Sequence, residues 1–285
     1  MNKSLKGSLL VSISAISFGF LPIFAKFVYL YGFSVYNMLF FRFSIASVII
    51  FLYLYIRKEF YIPKFNILIS LILLGSIGYF SQSLLYLSSI NYIPISVAVL
   101  LLYSYPPIVS LMASLLNIDK ITSRIIIALF LGFIGVFLIA NPSYNLNVYG
   151  ITLAFSAAIV YSIYIVTSSK ILKNIKGELA SLFVMSSASM SFFIASLVQN
   201  EVIRFNYFAL LFCIAMAMIS TALAISTFFM GLRLIGPTRS SIISLLEPLT
   251  STLLAFYIFY ESFNILQLIG SAFIILSAFL VFSKK

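Results

Sequence analysis

From about residue 8 to residue 282 the chain is a succession of apolar runs, broken only by clusters a few residues long. Arg57-Lys58-Glu59, Ile118-Asp119-Lys120, Asn141-Pro142-Ser143 and Lys173-Asn174-Ile175-Lys176-Gly177 are such breaks. A run of about 20 apolar residues, coiled into a helix, matches the thickness of a bilayer's hydrocarbon core. The runs lie near residues 8–30, 35–56, 66–88, 94–116, 122–140, 148–169, 179–198, 207–231, 238–260 and 264–282. No soluble domain hides so much apolar surface: 63% of the chain is hydrophobic and 8% charged, against about half and a quarter in soluble proteins. The spacing therefore predicts an all-α integral membrane protein of ten transmembrane helices. The first run is too long for a signal-peptide core and is followed by no convincing cleavage site, so it reads as a retained helix.

The net charge of +11 would suggest a nucleic-acid partner in a soluble protein. Here position decides. With the N-terminus placed inside, 14 of the 17 Lys and Arg fall on the inner side, from Lys3 and Lys6 through Arg233 and Arg239 to Lys284 and Lys285. Arg204 alone falls outside, and Lys26 and Arg42 fall within spans. Short loops obey the positive-inside rule, so both termini are expected in the cytoplasm and the membrane is expected to be the plasma or inner membrane. The basic excess then means orientation and contact with anionic lipid, not nucleic acid.

Absences narrow the chemistry. The chain has no His, which removes Ser-His and Cys-His nucleophiles and His-ligated metals. Asp119 is its only Asp and Cys213 its only Cys, so neither a two-Asp protease nor a thiolate metal cluster can be built. No phosphate-binding Gly-rich loop occurs. No catalytic residue, metal or cofactor is expected, and the chain does not read as an enzyme. Trp is absent too, leaving 18 Tyr and 30 Phe for interfacial anchors and for the walls of any cavity.

The second half repeats the first. Gly7, Ala15 and Lys26 align with Gly150, Ala158 and Ser169, and Tyr86 to Pro94 align with Phe229 to Pro237. After a one-residue slip, Pro106 meets Pro248 and Asp119-Lys120 meets Glu261-Ser262. Each half, 1–141 and 142–285, thus carries five spans. An odd number sends the two units through the membrane in opposite directions. Inverted repeats of this kind bind their solutes near mid-membrane, where the units meet.

Two copies of a five-helix unit resemble the EamA domains of the drug/metabolite transporter superfamily. Phe18-Gly19 followed by Phe24-Ala25-Lys26 resembles the family's first-helix signature, with Phe18 where a Trp is common, and Phe41-Arg42-Phe43 resembles its second-helix Arg. Gly236-Pro237, Leu246-Glu247-Pro248-Leu249 and Tyr260-Glu261 resemble the second copy's later pattern. The resemblance implies a carrier of small metabolites, commonly amino acids or related compounds, driven by gradients rather than ATP.

Charged residues inside a span are costly and mark candidate functional sites. Lys26 lies about four residues from the outer end of the first run, within snorkelling range of the headgroups. Arg42 lies about seven residues into the second run, and Glu247 about eight into the ninth, directly before Pro248. That proline is expected to free the carbonyl of Ser244 for a substrate, a water or a neighbouring hydroxyl. Among uncharged residues, Tyr and Gln need a partner for their polar tips away from lipid. Tyr79, Gln82, Tyr103, Tyr161, Tyr164 and Ser244 join Glu247 as candidate cavity residues, whereas Ala128, Gly132 and Gly135 read as packing. The leading expectation is a secondary transporter of a small organic solute, export favoured, working as a monomer or homodimer in the lipid bilayer. A lipid or lipid-carrier flippase of the same fold is the alternative, and would need a lateral opening.

Overall fold

The computed structural model describes residues 2–140, 147–201, 206–260 and 264–282. These form ten apolar helical spans: Lys3–Leu30, Val35–Ile56, Phe65–Ser89, Ile95–Leu115, Ser123–Ala140, Val148–Ile171, Gly177–Val198, Tyr207–Ile235, Pro237–Phe259 and Ile265–Phe282. The 141/142 join, Arg204, Glu261-Ser262, Lys284 and Lys285 lie outside the described residues. Several spans run further into the charged ends than hydropathy suggests. The first starts at Lys3, where the Asn2 side chain accepts the Ser4 N–H at 3.2 Å, and the eighth takes in Arg233 before Gly236 ends it at φ +81°. Helix satisfies the backbone through the headgroup layer as well as below it.

The packing repeats across the two units. The first span packs against the eighth and the third against the sixth, which are matching pairs, while the second pairs with the seventh, the fourth with the ninth and the fifth with the tenth. In the last pair, a Cβ at Gly135 would stand 2.7 Å from the Gly270 carbonyl, and one at Gly270 would stand 2.6 Å from the Gly135 carbonyl. Backbones that close admit only glycine at the crossing. Ser277 Oγ adds a 2.6 Å bond to the Ala128 carbonyl.

The irregularities repeat as well. The third and eighth spans each contain one π-helical turn, Leu74–Tyr79 and Met218–Leu223. Each turn leaves a carbonyl that the facing unit takes up: Ser191 Oγ donates to Ser76 O at 3.3 Å, and Arg42 Nη2 to Ser220 O at 3.1 Å. The fourth span breaks at Tyr103-Ser104, between Ile95–Leu102 and Tyr105–Leu115. The ninth breaks at Ser244-Leu245, between Pro237–Ile243 and Leu246–Phe259. Pro106 and Pro248 cause these breaks, because neither can donate to the preceding turn. The first span breaks at Phe20 beside Pro22, whereas its counterpart, Val148–Ile171, is continuous.

Burial is uneven across the membrane. Call the side bearing Lys3, Lys6, Lys120 and Lys176 the basic face, and the other the far face. On the basic face six residues of Pro237–Ile243 are buried, and Asp119 Oδ2 accepts the Thr238 N–H at 3.0 Å, tying the loop after the fourth span to the start of the ninth. On the far face Leu246–Phe259 buries only Pro248 and Leu249, and Leu21–Leu30 only Ile23 and Val28. Tyr29 is 40% exposed, yet it lies in electrostatic range of buried Arg42 and of Tyr86. On this far side the first and ninth spans are thus more loosely packed than on the basic face.

Candidate functional site

The two broken helices bring the polar centre together. Tyr103 caps the first half of the fourth span and Glu247 sits in the first turn of the second half of the ninth. The Tyr103 hydroxyl lies within hydrogen-bonding reach of the Glu247 carboxylate. Tyr105, the first residue after the break in the fourth span, points its hydroxyl at the Ser241 carbonyl, 3.4 Å away, and at the Ser244 side chain. Each break therefore anchors a side chain from the opposite unit.

From Tyr105 a ladder of rings crosses the interior. Tyr105 meets Tyr161 edge-on with centroids 4.8 Å apart, Tyr161 stacks on Tyr164 at 5.9 Å, and Tyr164 meets Tyr79 edge-on at 5.8 Å. Tyr103 joins the other end, 6.0 Å from Tyr105. Such edge-to-face pairs hold each ring at a fixed tilt and keep polar tips inside the protein. Tyr86, Tyr103, Tyr105 and Tyr161 all lie in electrostatic range of Glu247.

Arg42 has a different setting. It is 2% exposed, its Nε donates to Thr221 Oγ1 at 2.7 Å and its Nη2 to Ser220 O at 3.1 Å. Its guanidinium also rides over Phe43, 4.9 Å from the ring centroid. It is thus bolted to the π turn of the eighth span, with Glu247 in range but not in ion-pair contact.

Of the candidate residues, the structure gathers Tyr79, Tyr103, Tyr161, Tyr164, Ser244 and Glu247 into one connected cluster, with Arg42 at its edge. Gln82 is buried on the third span between Tyr79 and Tyr86, and its Oε1 accepts the Ser83 hydroxyl at 3.3 Å. Lys26 stands apart on the far face, exposed, with Nζ 3.7 Å from the Phe259 ring centroid. The Ser244 carbonyl departs from expectation: the Glu247 N–H takes it at 3.0 Å, because the chain tightens by one residue ahead of Pro248 instead of leaving the acceptor open. Tyr105 and Tyr86 belong to the cluster although the residue pattern did not single them out. The sign for Tyr105 was its place just before Pro106, as Glu247 stands before Pro248.

Broken helices meeting at mid-membrane between inverted units are how secondary transporters build a solute site, and the comparisons agree. A solved crystal structure superposes with a TM-score of 0.83 over 96% of both chains at 17% identity, a likeness of fold. An uncharacterized transporter of Archaeoglobus fulgidus is 26% identical over 162 residues, which is 57% of this chain and 58% of that protein. The profile of the EamA-like transporter family matches twice, over residues 5–141 and 148–283, one match to each five-helix unit. With nearly its whole length so accounted for, the chain belongs to the EamA-like transporter family.

Proposed function

We propose that this membrane transporter is a gradient-driven carrier, moving an amino acid or related small metabolite, chiefly outward, across the plasma or inner membrane by alternating access. The observation that supports it best is the Glu247–Tyr103 centre. A carboxylate and a hydroxyl meet where the broken fourth and ninth spans come together. Buried polar groups there serve a solute path rather than packing. The two units, 1–141 and 142–285, rock against one another around this point. Both termini and the Lys173–Lys176 loop face the cytoplasm, so the more loosely packed far face is the outer one.

Glu247 supplies the coupling. A carboxylate that is half-buried in one state and solvated in another takes up and releases a proton as the site changes sides. The test compares metabolites in cells and medium with and without overexpression, using wild type and Glu247→Gln. The wild type shifts one metabolite class. The Gln variant, which keeps shape and hydrogen bonding but cannot titrate, folds, loses accumulation against a gradient and retains exchange. Full uphill transport by that variant would make Glu247 structural.

A lipid or lipid-carrier flippase draws on one other observation. A groove of about 390 Å³ opens between the second, third and seventh spans, lined by Tyr36, Ser76, Phe80, Ser191 and Val198. Its mouth faces the hydrocarbon, where a lipid tail could enter. Dithionite quenching of a fluorescent lipid in proteoliposomes separates the readings, since a solute carrier leaves the inner-leaflet fraction protected.

A further inference from the structure

Glu247 is the one acidic residue, among those described, that lies away from a span end, and it is half-buried. No basic side chain among the described residues ion-pairs with it. Its immediate partner is the Tyr103 hydroxyl, and its surroundings are the rings of Tyr86, Tyr105 and Tyr161. A carboxylate with a tyrosine hydroxyl as its partner, and with no ion-pair partner among the described residues, attracts an organic cation through its charge. The partner that a substrate carboxylate would need is missing. Arg42 is 2% exposed and turned into the eighth span through Thr221 and Ser220, so no ligand reaches it without dismantling that contact. Lys26 lies on the far face against Phe259, displaced along the membrane normal from the Glu247 break. The half-buried rings of Tyr161 and Tyr79 continue from the carboxylate as an apolar wall.

We infer that the substrate is an organic amine rather than an amino acid or an acid: a protonated amino group held between Glu247, Tyr103 and the surrounding rings, on an aromatic or alkyl body lying along Tyr161. The inference rests on the carrier reading above and replaces its amino-acid substrate with a related compound that lacks the carboxylate. Primary amines are ionised at neutral pH, and desolvating an added carboxylate with no partner disfavours the amino acid.

The test uses the full chain in lipid nanodiscs and two probe sets that differ only in charge. The aromatic set is tyramine, tyrosine, 3-(4-hydroxyphenyl)propionate and tyrosol; the alkyl set is pentylamine, norleucine, hexanoate and pentanol. In at least one set the amine binds about tenfold or more tightly than its amino acid, acid and alcohol relatives, as one lost charge-assisted contact implies. Glu247→Gln abolishes that preference, and Tyr103→Phe weakens amine binding a few-fold. Glu247→Asp, which retains the charge, keeps the preference and guards against misfolding of the Gln variant. Binding of the amino acid as tight as the amine in both sets, or a preference unchanged in Glu247→Gln, overturns the assignment. Flux of the same probes in proteoliposomes separates the two claims. Glu247-dependent amine binding without flux overturns the transporter reading and leaves the amine site standing, while Glu247-dependent flux of acids or amino acids does the reverse.

Discussion

Arg42→Met removes the bolt between the second span and the π turn of the eighth. It deletes the Nε bond to Thr221 at 2.7 Å and the Nη2 bond to Ser220 O at 3.1 Å, along with the contact over Phe43. Polar contacts within a bilayer contribute about 1 kcal/mol each, and an orphaned buried carbonyl costs about 1 kcal/mol more. The Thr221 hydroxyl still donates to Met216 O at 3.1 Å, so it is not orphaned. The expected loss is about 3 kcal/mol, less whatever is regained by removing a buried charge. At about 2–4 °C per kcal/mol, that lowers the unfolding midpoint by roughly 6–12 °C. Ser191→Ala is the matched control. It removes the equivalent contact to Ser76 O, a neutral bond at 3.3 Å, with an expected loss of about 0.5 kcal/mol, or 1–2 °C. Arg42→Lys, keeping charge but not the planar fork, should fall between them. Cys213 gives the assay, being the single cysteine and fully buried. A fluorogenic thiol dye therefore reads its exposure as the protein unfolds. An Arg42→Met midpoint within 2 °C of Ser191→Ala, roughly the resolution of the contrast, would refute the bolt and point to Arg42 acting on substrate instead.

Three further outcomes follow from the geometry. Gly135→Ala should cost about 1–3 kcal/mol in the same thermal assay, because its Cβ would meet the Gly270 carbonyl, which cannot swing aside; Gly78→Ala, 3.2 Å from the Tyr164 ring, should cost far less. Tyr161→Ala should lower substrate affinity more than stability, since the ring is only half-buried, and a reduced midpoint with unchanged affinity would make it a packing residue. A Cys at Ser4 in a Cys213→Ser background should escape an impermeant thiol reagent in intact cells, and its labelling would invert the topology.

The spans were legible because hydropathy is a property of composition along the chain, and the repeat because Gly, Pro and acidic residues recur at a nearly constant offset, with a one-residue slip before Pro106 and Pro248. The π turns were not. Leu74-Gly75-Ser76-Ile77-Gly78-Tyr79 and Met218-Ile219-Ser220-Thr221-Ala222-Leu223 share only the central serine, and nothing in either run announces a wider coil. The turn at 74–79 depends on Gly75 lying against the Val184 carbonyl, a contact between distant stretches of chain. Arg42 could be recognised as a buried charge, but its partners Thr221 and Ser220 could not, for the same reason. Glu247 stood out as a lone carboxylate beside Pro248. The fate of the carbonyl freed by that proline depends on how the chain tightens around the break, and spacing does not encode that.

The two units share a fold but not their polar content. At the breaks, Tyr105 precedes Pro106 where Glu247 precedes Pro248. At the π turns, Ser191 holds the Ser76 carbonyl where Arg42 holds that of Ser220, and the seventh span carries no charge after Glu178. If the units exchanged shapes to expose the site to the basic face, Asp119 would have to release the Thr238 N–H. The charged bolt at Ser220 would meanwhile bear a strain that a serine at Ser76 bears elsewhere. A perfectly symmetric pair would hold its two facing states at equal energy. In the alternating cycle proposed above, giving up those contacts costs about 1–3 kcal/mol, which favours the state described here. Under that proposal ligand or proton binding at Glu247 supplies the difference, because only an interaction that distinguishes the two states can shift the balance between them.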